Sequence, residues 1–362
     1  MFPSIEYLEW IHGRPSAAEF DLGSSDLGHT DTRSDPIPGP LAGLPDPPAE
    51  TTLETQLADR YDVDPEAVVV TAGATHANFL VAAAAIDDAD GPSPSVLVEK
   101  PGYEPLIATP RALGATITRF RRPLKEGAAL SPERVGGAVD DATALVTVTN
   151  RHNPTAAETD RATIDTVADR ARSAGARVLV DEVYAPYTTT PAAGRGFGGP
   201  TAAGLADVVV TGSLTKAFGL GGLQIGWIVT APSFIETVKR VANHVPAVAD
   251  PSRQLGRRAL YHADTLLEDA RDRIEHNGRL LADFVADRSA LSGPISADCT
   301  YGFPTHERAD GDEIARAAWE AGILVVPGRF FGFPERFRLS VTDPSAQAER
   351  ALAAFGDVLA DL

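Results

Sequence analysis

One cysteine, Cys299, in 362 residues leaves nothing for an internal disulfide or for a thiolate metal cluster built within one chain. A lone cysteine of this kind ordinarily fills a small gap in the interior. Lysine is nearly as scarce: Lys100, Lys125, Lys216 and Lys239 stand against twenty-eight arginines. No uninterrupted apolar run approaches the roughly 20 residues that a membrane-crossing helix needs. The start of the chain, with Glu6 and Glu9 among its first ten residues, lacks the basic stretch and apolar core of a signal or transit peptide. A cytoplasmic location is therefore expected. Positive charge is in deficit overall, with a net charge of −18, which repels nucleic acid and anionic membranes. No basic patch offsets it, so the expected partners are small molecules, not nucleic acid or membrane. The acidic excess is spread along the chain and resembles that of proteins from salt-loving organisms, whose hydrated carboxylate surfaces resist salting out.

What is present is the mix of a soluble globular protein, 43% hydrophobic and 23% charged. The length is ample for a large domain and a smaller companion. Residues 35–48, DPIPGPLAGLPDPP, hold too much proline for regular structure and read as an extended connector. Next, Thr51 or Thr52 can cap a helix in which Leu53, Leu57 and Tyr61 recur at helical spacing. The pattern then changes to short apolar or β-branched runs at 67–71, 96–99, 144–149, 178–181, 208–211 and 225–230. Such runs suit strands buried on both faces, as in parallel sheets. Helical stretches at 76–86, 103–113 and 159–174 lie between them. This alternation predicts an α/β fold, a mostly parallel sheet between helices. Near Asp250 the strand rhythm stops and a long helical segment, about 252–290, begins. The expected division is an N-terminal segment and connector at 1–48, a large domain at 49–250 and a small α+β domain at 251–362. The last of these has strand candidates at 322–327 and 336–341 and helices near 311–321 and 345–360.

In open parallel sheets ligands sit beyond the carboxyl ends of the strands, so the polar residues just after each run deserve inspection. The run at 208–211 leads into Gly212, Ser213, Leu214, Thr215 and Lys216, then into the glycine-rich AFGLGGLQIGW. A lysine set among small residues at a strand end is partly desolvated, which is expected to lower its pKa and free the amine to attack an aldehyde. The run at 178–181 ends in Asp181, with Tyr184 three residues on. An aspartate so placed can keep a ring nitrogen protonated, although a helix cap would look the same. The run at 144–149 leads to Asn153, held extended by Pro154. The run at 67–71 leads to Gly73, Ala74 and Thr75 at the start of a helix, where backbone amides and small residues suit a phosphate.

Together the blocks TAGATHAN, EKPGYEP, NRHNPTA, DEVYAPY, SLTKAFGLGGLQIGW and RLS, in this order between Thr71 and Ser340, resemble the class I/II, fold-type-I aminotransferases. The chain length and the lysine block look most like the shorter, histidinol-phosphate aminotransferase-like members. The resemblance implies the pyridoxal 5'-phosphate (PLP) transferase fold with a seven-stranded-type sheet, PLP as cofactor, an amino acid and a 2-oxo acid as substrates, and a homodimer. It implies that Lys216 carries the cofactor as a Schiff base and moves a proton at the substrate Cα. Asp181 would pair with the pyridine nitrogen. Asn153 and Tyr184 would meet the phenolic oxygen, and Tyr103 would stack on the ring. Gly73, Ala74, Thr75 and Ser213 would hold the phosphate. Arg338 would grip the substrate carboxylate in a bidentate contact, with Gly23 and Asn153 beside the substrate.

Two departures from the family pattern concern the phosphate. Gln224 stands where the family has an arginine, and no tyrosine lies between Tyr7 and Tyr61 to reach a partner's phosphate site. A neutral hydrogen bond is worth about 1 kcal/mol against about 1.5–3 for a charge-assisted one, so either weaker cofactor binding or an arginine elsewhere in its place is expected. The competing readings are a PLP-dependent lyase or decarboxylase on the same fold, because the pocket selects which bond at Cα breaks, and a non-catalytic PLP-binding homologue.

Overall fold

Each of the six apolar runs is a strand, and a seventh strand joins them. The computed structural model describes residues 3–27, 37–89, 91–191, 196–245 and 248–362. In chain order the elements that position the cavity are α1 (Glu6–Ile11), α2 (Arg14–Ala17), β1 (Phe20–Asp21), α3 (Leu53–Tyr61), β2 (Val68–Thr71), α4 (Gly73–Asp87), β3 (Ser95–Lys100), α5 (Pro105–Ala112), β4 (Thr116–Arg121), β5 (Thr143–Thr149), β6 (Arg177–Asp181), β7 (Val208–Ser213) and β8 (Gly226–Val229). The last seven strands form one sheet in the order β2-β8-β7-β6-β5-β3-β4. Strands β3 to β7 pair in parallel, and β8 runs antiparallel between β2 and β7. The carboxyl ends of β3, β5, β6 and β7 therefore point one way, and the residues just before β8 return to the same edge.

Strand β5 is buried along its whole length, and its threonines and valines supply the β-branched bulk that a doubly covered strand needs. Strand β4, TITRFR, was not expected from the sequence. It is an edge strand, mostly half-exposed, and alternates polar with apolar residues, so it gives no continuous apolar run. Thr52 is the cap of α3, accepting the Thr55 N–H in a capping box. Within the described part of the connector, a short 3-10 turn at Gly39–Leu41 interrupts the otherwise irregular chain; Asp35 and Pro36 lie outside the described residues.

The long helical segment is two helices, Asp250–Tyr261 and Ala263–Ala286, broken at His262. His262 Nε2 sits 3.0 Å from the Pro45 carbonyl, a tie to the connector that apolar spacing cannot reveal. Ala259, Leu267 and Ile274 pack with Val180 and Val210 of the sheet, whereas Leu281 and Phe284 pack with Ile314, Phe337 and Phe355. The N-terminal segment joins that second cluster through Leu22, and β1 pairs in parallel with Ile323–Leu324. This brings residues 22–27 and Arg338, on the strand Phe337–Ser340, to the edge where the sheet's carboxyl ends lie.

Candidate active site

A cavity of about 200 Å³ opens at that edge. Of the residues singled out in the sequence, Gly73, Ala74, Thr75, Tyr103 and Asn153 line it, as do Asp181, Tyr184, Ser213, Lys216, Gln224 and Arg338. Gly23 does not line it. Its carbonyl instead accepts from Arg338 Nη2 at 2.7 Å, so the backbone there braces the guanidinium.

Asp181 ends β6 and is 4% exposed. Burial raises its pKa, against the opposing effects of hydrogen bonds from Asn78 and the Val183 N–H and of the Lys216 charge. Asn78 Nδ2 donates to Asp181 Oδ2 at 2.8 Å, and Thr211 Oγ1 donates to Asn78 Oδ1 at 2.7 Å, which fixes the amide's orientation. Lys216 Nζ lies 5.8 Å from the centre of the Tyr184 ring. Burial acts to lower its pKa, as expected, but the negative potential of Tyr184, Asp26 and Tyr7 outweighs it, and the amine is held above the ordinary lysine value. The expectation of a lowered pKa is corrected accordingly: a sequence window around Lys216 contains none of those three groups.

Tyr184 is buried and its hydroxyl lies 2.5 Å from Ser25 Oγ, while Tyr187 donates to the Ser25 carbonyl at 3.0 Å. Asn153 has its N–H on Thr149 Oγ1 at 3.0 Å, and Thr149 Oγ1 in turn donates to the buried Glu99 carboxylate at 2.6 Å. Arg338 is 2% exposed and donates to Asn153 Oδ1 at 3.1 Å and to the Tyr7 hydroxyl at 3.3 Å. Its Nε is buried without a hydrogen-bond partner among the described residues. Neither Asp181 nor Arg338 makes a side-chain ion pair among those residues.

The other end of the cavity is a backbone cradle. Gly73 opens the 15-residue helix α4 with φ +80°, and Ala72 before it gives no side-chain cap. The first-turn N–H groups thus face the cavity uncapped, an arrangement suited to an anion. A Cβ at Gly226 would lie 2.4 Å from the Gly73 carbonyl carbon, so glycine is required for this close approach. Gln224 is exposed, with φ 50° and ψ 50°, and its Nε2 donates to the Gly221 carbonyl at 2.8 Å. Lys216 and Arg338 are the only cationic side chains lining the cavity among the described residues.

Tyr7, Asn78 and Thr149 also line the cavity, without having been assigned a role, as does Ser25. Asn78 had a readable signal, an amide within the otherwise alanine-rich stretch HANFLVAAAA. Tyr7 had none, since its place depends on how α1 crosses the cavity.

A buried acid, an amine at a strand end, a cradle of uncapped backbone amides and a buried guanidinium fit PLP and a carboxylate substrate, which defines a PLP-dependent enzyme of α/β type. The family model for aminotransferase class I and II matches residues 37–355, and the chain belongs to that family. Histidinol-phosphate aminotransferase of Halobacterium salinarum is 32% identical over 311 residues, 84% of this chain and 80% of that protein. Capreomycidine synthase of Streptomyces vinaceus is 27% identical over 313 residues, 85% of this chain and 78% of that one. A PLP-dependent aminotransferase from Streptococcus suis shares the fold with a TM-score of 0.85 at 21% identity, covering 99% of this chain and 98% of that one. The protein is thus a PLP-dependent aminotransferase, with pyridoxal 5'-phosphate as its cofactor.

Proposed function

We propose that the chain exchanges amino groups between α-amino acids and 2-oxo acids, with Lys216 carrying the cofactor and Arg338 taking the substrate carboxylate. The observation that supports this best is the pair of opposite buried charges, Asp181 and Arg338, that line one cavity with Lys216 and lack ion-pair partners among the described residues. Burying an unpaired charge costs several kcal/mol, so such groups persist where a ligand completes them. Asp181 suits a protonated ring nitrogen, and Arg338 suits a carboxylate.

PLP, when bound, supplies an aldehyde and an electron-withdrawing ring that weakens the bonds at the substrate Cα. Asp181, steadied by Asn78, would keep the ring nitrogen protonated. Asn153 and Tyr184 would face the phenolic oxygen, and Tyr103 would cover one face of the ring. Gly73, Ala74, Thr75, Ser213 and Gln224 would hold the phosphate through neutral donors. Lys216 Nζ takes and returns the proton at the substrate Cα. Arg338 anchors the carboxylate and opposes its departure, which favours amino transfer over decarboxylation.

The test is borohydride reduction of the holoenzyme with peptide mapping, joined to a screen of the twenty amino acids with 2-oxoglutarate as acceptor. A pyridoxyl label on Lys216 and glutamate formation are expected. A label elsewhere removes the assignment of Lys216, and release of carbon dioxide or ammonia without glutamate removes that of transamination. The proposal extends to a cytoplasmic homodimer adapted to high salt, supported by the charge of −18, the arginine excess and the Halobacterium relative. It keeps 1–48, 49–250 and 251–362 as the parts of the chain; the separate apolar cluster around Phe337 supports the last of these from Leu281 onward, while Ala259, Leu267 and Ile274 pack with the sheet.

A further inference from the structure

We propose that Glu104 is a positioning residue for substrate binding: its carboxylate latches helix α1 across the cavity and so holds Tyr7 against the Arg338 guanidinium. The inference rests on the reading of Arg338 as the carboxylate site. Glu104 Oε1 accepts the N–H of Glu6 at 3.1 Å, and Oε2 accepts the N–H of Tyr7 at 2.7 Å. Ile5, which precedes α1, supplies no side-chain cap, so a carboxylate almost a hundred residues away in sequence takes that place. Both contacts are charge-assisted.

A helix of six residues is not stable alone, so α1 keeps its shape through its tertiary contacts. At its far end Arg14 lies between the Trp10 and Trp319 rings, 4.6 and 4.5 Å from their centres, and donates to the Trp10 carbonyl at 2.7 Å. At the near end, Glu104 alone among these anchors sits beside the cofactor pocket. It directly follows Tyr103, so a single turn presents one ring to the cavity and one carboxylate to α1. The Tyr7 ring meets Tyr103 edge-on at 5.9 Å and Phe330 at 5.6 Å, and its hydroxyl accepts from Arg338. Held there, Tyr7 walls the guanidinium off from water and fixes the side of it that a carboxylate meets. Releasing the latch weakens substrate capture and leaves the proton transfer at Lys216 in place.

The experiment compares wild-type holoenzyme with Glu104→Gln and Glu104→Ala, each also made in a Tyr7→Ala background. Two readouts are taken: backbone amide exchange of residues 3–17 by mass spectrometry, and KM and kcat for 2-oxoglutarate. Glu104→Ala is expected to speed exchange in 3–17, raise KM about tenfold as loss of a charge-assisted contact does, and keep kcat within about twofold. Glu104→Gln, which keeps one acceptor, should fall between wild type and Glu104→Ala. In the Tyr7→Ala background Glu104→Ala should add nothing to KM. Unchanged exchange in 3–17, a fall in kcat without a rise in KM, or an undiminished KM effect without Tyr7 would each overturn the proposal. Arg338→Gln separates the two levels: if it leaves KM unaltered, the reading of Arg338 fails, whereas the latch itself is judged by amide exchange.

Discussion

Asn78 stands between Thr211 and Asp181, receiving a hydrogen bond from the first at 2.7 Å and giving one to the second at 2.8 Å. The chain reaches from strand β7 through helix α4 to the end of β6, so three elements agree on where the acid points. Replacing Asn78 with leucine removes a donor from a buried carboxylate, a loss of about 1.5–3 kcal/mol for a bond to a charged group. Part of that loss should appear in the cofactor, because Asp181 then turns away from the ring nitrogen. Titration of apoenzyme with PLP is expected to show affinity about tenfold or more below wild type. Equal affinity would mean that Asp181 does not need this donor to face the ring.

Gln224 provides a test in the direction of gain. It sits beside the cradle with a neutral amide, and neither of the cationic side chains lining the cavity belongs to the cradle. Gln224→Arg keeps the backbone demand, since neither residue is better suited to φ 50° than the other. The exchange of a neutral for a charge-assisted contact is worth about 1 kcal/mol, so PLP should bind roughly fivefold more tightly. Equilibrium dialysis of the two holoenzymes measures it. No gain would show that the phosphate's charge is already met by other groups.

Gly226 and Gly222 differ sharply in what a methyl group would meet. At Gly226 a Cβ comes within 2.4 Å of the Gly73 carbonyl carbon and 2.7 Å of the Ala74 nitrogen, both backbone atoms of the cradle. At Gly222 there is nothing within 4 Å. Gly226→Ala should therefore push the cradle out of shape, cost about 1–3 kcal/mol in stability and weaken PLP binding at least tenfold. Gly222→Ala should leave both unaltered. Calorimetry of the apoenzymes and PLP titration distinguish the pair, and similar behaviour of the two variants would refute the close-approach argument.

What was legible in the sequence follows from how local each signal is. Strands β5, β6 and β7 are buried on both faces, so their composition alone marks them, and the functional residues at their ends come with them. Strand β4 is an edge and breaks that rule. Lys216, Asp181 and Asn153 were found because each ends such a run or lies within five residues of its end. Tyr7 was not assigned, because it arrives through the N-terminal segment, whose path is fixed by β1 pairing with Ile323–Leu324 some three hundred residues later. The raised pKa of Lys216 was missed for the same reason: Asp26 and Tyr7, two of its causes, come from that segment.

Glu182 shows that burial can be read as a pH dependence. It follows Asp181, is 2% exposed, and accepts the Ala202 N–H at 2.7 Å on Oε1, while Oε2 has no partner among the described residues. Burial pushes its pKa from 4.5 up to about 8, with the Ala202 N–H, Thr201 and Arg161 pulling the other way. Below the unfolded value of 4.5 the group is protonated in both states, and its favourable contribution is complete. As pH rises from there toward 8, the folded state keeps a proton that the unfolded chain has released, and stability falls by up to about 1.4 kcal/mol per pH unit. Above the folded value both states are ionised and the decline stops. Glu182→Gln holds the position neutral throughout and removes this one contribution, while the other titrating groups remain common to both proteins. Urea unfolding of wild type and Glu182→Gln at pH 5 and pH 8 should show the wild type losing stability relative to the variant as pH rises. Parallel pH profiles would mean that Glu182 is already ionised in the folded protein, with a counter-charge or water reaching Oε2.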